Sequence, residues 1–341
     1  MTIRDIAREC GVGVGTVSRV INGQPGVKSE TREKVQAVVN KHGFVVNQNA
    51  KLLKEQERKT IYILVKGTSN ILFNSLLEII QNRFEALPYN TSVVLLDEYD
   101  NEAQCASRIF YEQKPLGMVF LGGNPDIYRE DFMKIQIPCV LITNSADSVV
   151  NKNLSSVSTD DRKASAYLTE YLIKCGHKKI GVIGGELKSS EVTVRRYESF
   201  LETMKKHGLD FDYDTQYALS KYSFDGAAAA VKVLLKNCPD LTAIFTMADV
   251  MAIGAVRSLS DMGLSVPKDI SVVGFDGISI ADFFCPRITT IRQKTELLAE
   301  QGISALLECI ESQEKSKHTL LPFDFVEGES VLNLYKNIEK S

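Results

Sequence analysis

The stretch Gly11-Val12-Gly13-Val14-Gly15-Thr16-Val17-Ser18-Arg19-Val20-Ile21-Asn22 constrains the chain more than any other. It reads as a turn followed by a short helix. Val17, Val20 and Ile21 stand at i, i+3 and i+4 and can face one core together. Val14, Gly15, Thr16, Ser18, Arg19 and Asn22 are then left pointing outward. That outward set carries one cation, small hydroxyls and an amide, and no acid. Such a surface suits a polyanion whose grooves display hydrogen-bonding edges.

The flanks supply two more helices. Thr2 can cap a helix whose third position is Asp5, a capping-box pattern. Ile3, Ile6, Ala7 and Cys10 follow at i, i+3, i+4 and i+7, and Gly11 ends the helix. Downstream, Ser29 can cap a third helix that has Glu30 in its first turn, buries Val35, Val38 and Val39, and stops at Gly43. Three short helices, the first two joined by a tight glycine-containing turn, make a helix-turn-helix unit.

Thr2-Ile3-Arg4-Asp5-Ile6-Ala7, Thr16-Val17-Ser18-Arg19-Val20-Ile21-Asn22 and Thr31-Arg32-Glu33-Lys34-Val35 resemble the headpiece of the lactose-repressor family of bacterial transcription regulators. The resemblance extends along nearly the whole chain. Further markers are Ile137-Pro138-Cys139-Val140-Leu141-Ile142, Gly176-His177-Lys178-Lys179-Ile180, Asp249-Val250-Met251-Ala252-Ile253-Gly254, Gly274-Phe275-Asp276 and Pro286-Arg287-Ile288-Thr289-Thr290-Ile291. Gly176-His177 reads as a helix stop and strand entry.

At 341 residues the chain is too long for one core and suits a small head with two medium domains. A hydrophobic content of 44% with 24% charged residues is that of a globular protein, which sets disorder aside. The net charge of −3 hides an asymmetry: residues 1–60 hold 11 Lys/Arg and 6 Asp/Glu, or +5, leaving −8 on the remainder. A basic head on an acidic body fits a nucleic-acid reader carrying a separate sensing module. Arg4, Asp5, Arg8 and Glu9 interrupt the start before a signal-peptide core forms, and no run approaches a membrane span. The seven cysteines, at 10, 105, 139, 175, 238, 285 and 309, never fall in a C-x-x-C spacing. They read as buried thiols in a reducing cytoplasm. Four histidines without ligand spacing make a metal site unexpected, and no cofactor is implied.

After a charged linker from Lys54 to Lys59 the pattern becomes strand and helix in alternation. Strand-length apolar runs occur at 61–65, 93–96, 118–121 and 139–142, then at 180–183, 243–245 and 270–275. Helical segments separate them near 71–87, 102–113, 162–175, 191–207, 225–237 and 249–262. Short hydrophobic strands alternating with helices predict parallel sheets covered on both faces. The series runs twice, so the expected fold is an all-α helix-turn-helix head on an α/β body of two doubly wound lobes. Ligands in such lobes sit at the carboxyl ends of the strands. The resemblance implies lobes like those of periplasmic binding proteins, with segments near 288–291 and 319–326 crossing back. The expected boundaries are 1–45 for the head and 46–59 for a hinge helix and linker. The N-terminal lobe is expected at 60–160 plus about 290–318, and the C-terminal lobe at 161–289 plus about 319–335.

The resemblance also implies two sets of contacts. On DNA, Thr16, Ser18 and Asn22 would meet phosphates, while Arg19 and Val14 reach base edges in the major groove. Ile3, Gly15, Asn47 and Lys51 belong to the same surface, and Leu53 would wedge into the minor groove at the centre of a palindrome. Val46 stands where the family usually has Pro, so the hinge entry lacks that fixed φ. A homodimer would set two heads on a palindromic operator. In the cleft, Arg196 and Asp276 would meet the effector, with Asn70 and Phe73 from the first lobe. Asp160, Asp249 and Tyr222 are further candidates; Asp249 can equally be a helix cap, and Phe224 is an alternative stacking face. The chain has Thr143-Asn144 where the family commonly has Asp, Ala248 where some sugar-responsive members have Asn, and no Trp. A carbohydrate is the expected effector, stacking on Phe or Tyr, with a nucleobase or other metabolite as the alternative.

The rival classes fit less well. Gly11, Gly13 and Gly15 follow a capped helix, not the strand a dinucleotide fingerprint requires. There is no P-loop, no H-E-x-x-H and no G-x-S-x-G. A secreted sugar-binding protein would share the two-lobe body but would need an export signal and no helix-turn-helix. The sequence therefore predicts a cytoplasmic, ligand-responsive transcriptional regulator and not an enzyme.

Overall fold

The computed structural model describes residues 2–21, 23–44, 59–67, 69–149, 151–188, 190–312 and 315–335. The chain divides into two compact units, residues 1–56 and 57–341. Within the first, α1 spans Ile3–Cys10, α2 Val14–Ile21 and α3 Ser29–Lys41. The capping box forms at Thr2: its hydroxyl accepts from the Asp5 amide, while the Asp5 carboxylate accepts from the Thr2 amide at 2.9 Å. Gly11 closes α1 in the left-handed conformation, φ 63°. Ile6, Ala7, Cys10, Val17, Val20, Val35 and Val39 form the buried core, with Ile21 and Val38 half-buried at its margin.

Ser29 does not cap α3. Lys28 occupies the cap position without a side-chain bond, and the Ser29 hydroxyl donates to Glu33 at 3.2 Å. Ser29 is already the first helical residue, so its side chain lies along the helix toward i+4.

In the second unit β1 (Thr60–Lys66), β2 (Asn90–Leu96), β3 (Gly117–Leu121), β4 (Cys139–Ile142) and β5 (Leu154–Thr159) build one sheet, interleaved with α4 (Ile71–Glu85), α5 (Glu102–Gln113) and α6 (Arg129–Phe132). After α7 (Asp161–Lys174) a second sheet repeats the pattern. Its strands are β6 (Ile180–Gly184), β7 (Tyr217–Leu219), β8 (Ala243–Thr246), β9 (Ser271–Asp276) and β10 (Thr289–Gln293). Between them lie α8 (Glu191–Lys206), α9 (Tyr213–Gln216), α10 (Phe224–Asn237), α11 (Asp249–Asp261) and α12 (Ser279–Phe283). Then come α13 (Thr295–Ser312), β11 (His318–Leu321) and β12 (Phe323–Val326). The strand orders are β11-β5-β4-β3-β1-β2 and β12-β10-β9-β8-β6-β7. Every described pair is parallel except the antiparallel β10–β12. β3, β4, β6, β8 and β9 are buried throughout, as strands covered on both faces must be.

Two strands carry no apolar run in the sequence. β7 has three residues. β5 reads Leu-Ser-Ser-Val-Ser-Thr yet is fully buried, because its hydroxyls are bonded: Ser156 meets His318 Nδ1 at 2.8 Å and accepts from the Ala146 amide at 3.0 Å. The crossings also differ from the expected boundaries. β10 lies in the second sheet, so the chain returns at α13, whose Leu306 packs over Gly117 of the first sheet. β11, expected from 319 in the second lobe, extends the first sheet beside β5, where it satisfies that strand's open edge. At the crossing, Thr159 donates to the Gln293 side chain at 2.7 Å. Among the described residues no helix is long and apolar enough to cross a membrane. Five cysteines are buried, but Cys105 is half-buried and Cys285 exposed, against the expectation that all are interior.

Candidate functional site

On the head, α2 presents the surface that its periodicity predicts. Val17 and Val20 point into the core, Val14 is 43% exposed, Gly15 and Arg19 are exposed, and Thr16 and Ser18 are half-buried. Ile3 packs half-buried against the head core and offers only part of its side chain. Asn22, Asn47, Lys51 and Leu53 lie outside the described residues. The acids of α1 are engaged locally: Glu9 pairs with Lys41 and His42, and Asp5 with Thr2 and Arg8. These contacts hold both carboxyls below their usual range, hydrogen bonding first. Arg32 donates to the Gln24 carbonyl at 2.7 Å and pins the turn that follows α2. The α2 surface thus carries a cation and hydroxyls with no carboxylate of its own.

In the body, a cavity of about 1040 Å³, open mouth included, lies at the carboxyl ends of the two sheets. Asn70, Phe73, Arg196, Tyr222 and Asp276 all line it. Arg196, on α8, is 3% exposed and held on several sides. Its Nε donates to Asp161 at 2.7 Å, its Nη1 donates to the Met247 carbonyl at 2.5 Å, and its plane stacks on the Phe275 ring at 3.5 Å. Nη1 also lies 3.7 Å from Asp276 Oδ1. Asp276 ends β9 with φ 112°, a strained backbone for a residue with a Cβ. Burial pushes its carboxyl up to about 6, against the opposing pull of Arg196. Gln293 donates to it at 2.8 Å, and Asn70 reaches it from the other lobe. Phe73 lies against Gly122, where φ is 76° and an added Cβ would meet the ring at 3.0 Å. The Tyr222 hydroxyl bonds Thr193 at 2.7 Å.

Asp160 and Asp249 do not line the cavity. Asp160 caps α7, accepting from the Lys163 amide at 3.1 Å. Asp249 is not a cap either; that position is Ala248. Its carboxylate accepts from the Thr290 hydroxyl at 2.6 Å and the Ile278 amide at 2.8 Å, bracing β10 against the loop after β9. It fills the space beside Gly274, where a Cβ would approach it to 2.1 Å. Burial, then Asp276, holds it well above the usual carboxylate range. Phe224 stands outside the cavity.

Lys66, Asp97, Glu98 and Gln293 line the cavity without having been anticipated, as do Thr143 and Asn144, noted in the sequence only for standing where the family commonly has Asp. Most end or follow a strand, so the strand-end rule applied to every strand would have found them. Lys66 is buried and donates to Glu102 at 2.6 Å. Asn144 is fixed by accepting from Thr143 at 3.0 Å and donating to the Gly123 carbonyl at 2.8 Å. Two contacts join the lobes at the front: the Glu98 carboxylate accepts from the Tyr222 amide, and Lys221 stands over the Tyr99 ring at 4.9 Å. At the rear, Arg195 of α8 binds Asp147 of the first lobe at 2.8 Å and also pairs with Glu191.

Comparison with known proteins places both the head and the body in known families. Residues 2–47 match the model for bacterial regulatory proteins of the lacI family, and 169–331 match a periplasmic binding protein-like domain. The HTH-type transcriptional regulator MalR of Clostridium butyricum is 36% identical over 338 residues, covering 98% of this chain and all of the relative. The chain belongs to the lacI family of bacterial regulatory proteins. This lacI-family chain is also 30% identical to catabolite control protein A of Priestia megaterium over 296 residues, 86% of the chain and 87% of the relative. Among solved structures it resembles a transcriptional regulator CelR–cellobiose complex, with TM-score 0.71 and 25% identity over 97% of this chain and 99% of the other. The lac repressor dimer bound to operator and an anti-inducer shares the fold at TM-score 0.71, 24% identity and the same coverage. The lacI-family chain is therefore a DNA-binding transcriptional regulator whose helix-turn-helix head is attached to a two-lobe binding body.

Proposed function

We propose that this protein is a cytoplasmic repressor that binds a palindromic operator as a homodimer and is controlled by a carbohydrate held between its lobes. The observation that carries the reading is the meeting of Asn70 and Phe73 from one lobe with Arg196, Tyr222 and Asp276 from the other around one cavity. Amide, guanidinium and carboxylate groups match the paired donors and acceptors of sugar hydroxyls, and Phe73 and Tyr222 supply apolar faces. A relative of similar fold was solved with cellobiose, and others are named for ribose and for catabolite control.

In this reading Arg19 and Val14 of α2 contact base edges, and Thr16 and Ser18 contact phosphate. Ligand contacts shared between lobes favour one lobe arrangement over another, and that differential affinity is what reaches the DNA. No step involves bond making or breaking, so the protein acts as a switch and not as a catalyst.

The test is an operator-binding titration with duplexes selected from random DNA. Arg19→Ala should weaken specific binding by roughly 1–3 kcal/mol while leaving carbohydrate binding intact. Equal affinity of variant and wild type would contradict the assignment of α2.

A further inference from the structure

An anionic ligand needs a free cation, a helix N-terminus or a backbone amide nest. Among the described residues the two buried cations of the cleft and its backbone nest are already engaged, and the third cation, Lys221, is exposed at the mouth. Lys66 donates to Glu102 at 2.6 Å, with both side chains buried. Arg196 is held by Asp161 at 2.7 Å and faces Asp276. Lys221, at the mouth, lies over Tyr99 beside Glu98. The helix N-termini facing the cavity carry their own caps: Asn70 accepts from the Leu72 amide at 3.1 Å, and Ser190 from the Thr193 amide at 3.3 Å. The left-handed turn at Gly122-Gly123 is the natural oxyanion nest, and Glu102 occupies it, accepting from the Asn124 amide at 2.6 Å. Lys66, Arg196 and Lys221 line the cavity with Asp97, Glu98 and Asp276, while Glu102 and Asp161 pair with Lys66 and Arg196 from behind the lining.

We infer that the cleft selects an uncharged, hydroxyl-rich ligand and rejects its phosphorylated or carboxylated counterpart, with Asp97, Glu98 and the Glu102-filled turn as the discriminating elements. The inference rests on the carbohydrate reading above and sharpens it. A phosphate or carboxylate entering the cleft would have to displace Glu102 from Lys66, or lie against Asp97 and Glu98 and compete with Glu98 for Lys221. A neutral polyol needs no counter-charge and can exchange hydrogen bonds with the cavity-lining Asn70, Asn144, Asp276 and Gln293. Glu98 is itself held above its usual range by burial, so the mouth already strains to keep its own negative charge.

The experiment is a thermal-shift and calorimetric comparison on the full chain with charge-matched probes. Glucose, galactose, ribose, maltose and cellobiose are set against glucose 6-phosphate, glucuronate, ribose 5-phosphate and cellobionate. At least one neutral sugar should raise the melting temperature, and its anionic counterpart should bind roughly a hundredfold or more weakly. An anionic probe that binds as tightly as its neutral partner overturns the inference while sparing the carbohydrate reading. Failure of both sets to bind overturns the carbohydrate reading itself, and the inference with it. Asp97→Asn combined with Glu98→Gln, size-matched changes at the mouth, should narrow the neutral-to-anionic gap at least tenfold, with the stability of the unliganded variant read from the same melting curves. An unchanged gap would remove those carboxylates from the account.

Discussion

Arg196 is the most tightly held side chain of the cleft, and its substitution tests how binding and stability share one residue. Its guanidinium neutralises Asp161 and faces Asp276, all of them buried. Arg196→Ala leaves those carboxylates uncompensated, so the body should lose roughly 3–5 kcal/mol, read by urea denaturation, together with its ligand response. Unaltered stability would show that the pair is not coupled. Glu191 offers a pH-linked test. It is 6% exposed in the first turn of α8, and burial pushes its carboxyl from 4.5 up to about 7 despite Arg195. Between about 7 and 4.5 the folded protein therefore holds a proton that the unfolded chain does not. Stability from this group rises as pH falls through that window and is lost as pH rises through the folded value. Glu191→Gln should flatten that slope and raise stability at pH 8 by on the order of 1–3 kcal/mol; a slope identical to wild type would contradict the assignment.

At the scale of elements, α2 carries an avoidable weakness. Gly15 lies on its exposed face, and a Cβ there would meet nothing within 4 Å. Gly15→Ala should stabilise the head by roughly 0.5–1 kcal/mol, measured by circular dichroism melting, and destabilisation would mean the position is packed. Elements with a clear hydrophobic period were legible beforehand: β4 and α5 fall on their expected bounds. β5 was not, because its Ser and Thr residues are buried through hydrogen bonds, which leave no apolar pattern. Arg196 and Asp276 were legible from motif resemblance. Asp160 and Asp249 misled because an acid at a helix start can serve a cap or a brace as readily as a ligand. Lys66 and Gln293 belong to no motif, but each ends a strand, so the strand-end rule reaches them once every strand is counted.

At the scale of the molecule, the basic first sixty residues and the acidic remainder answer to different partners: a polyanion and a ligand that carries no charge. Among the described residues the head core comprises seven buried apolar residues, too few for more than a modest stability of its own. Coupling between ligand and DNA is then a difference in affinity between two states of the whole chain, and it must be reciprocal. The most direct measurement is fluorescence anisotropy of a selected palindromic duplex and a scrambled control, each with and without the sugar that most raises the melting temperature. The account predicts a specific affinity roughly a thousandfold or more above the control, shifted at least about fivefold by the sugar. Equal binding of the two duplexes, or a specific affinity that the bound sugar leaves unmoved, would contradict it.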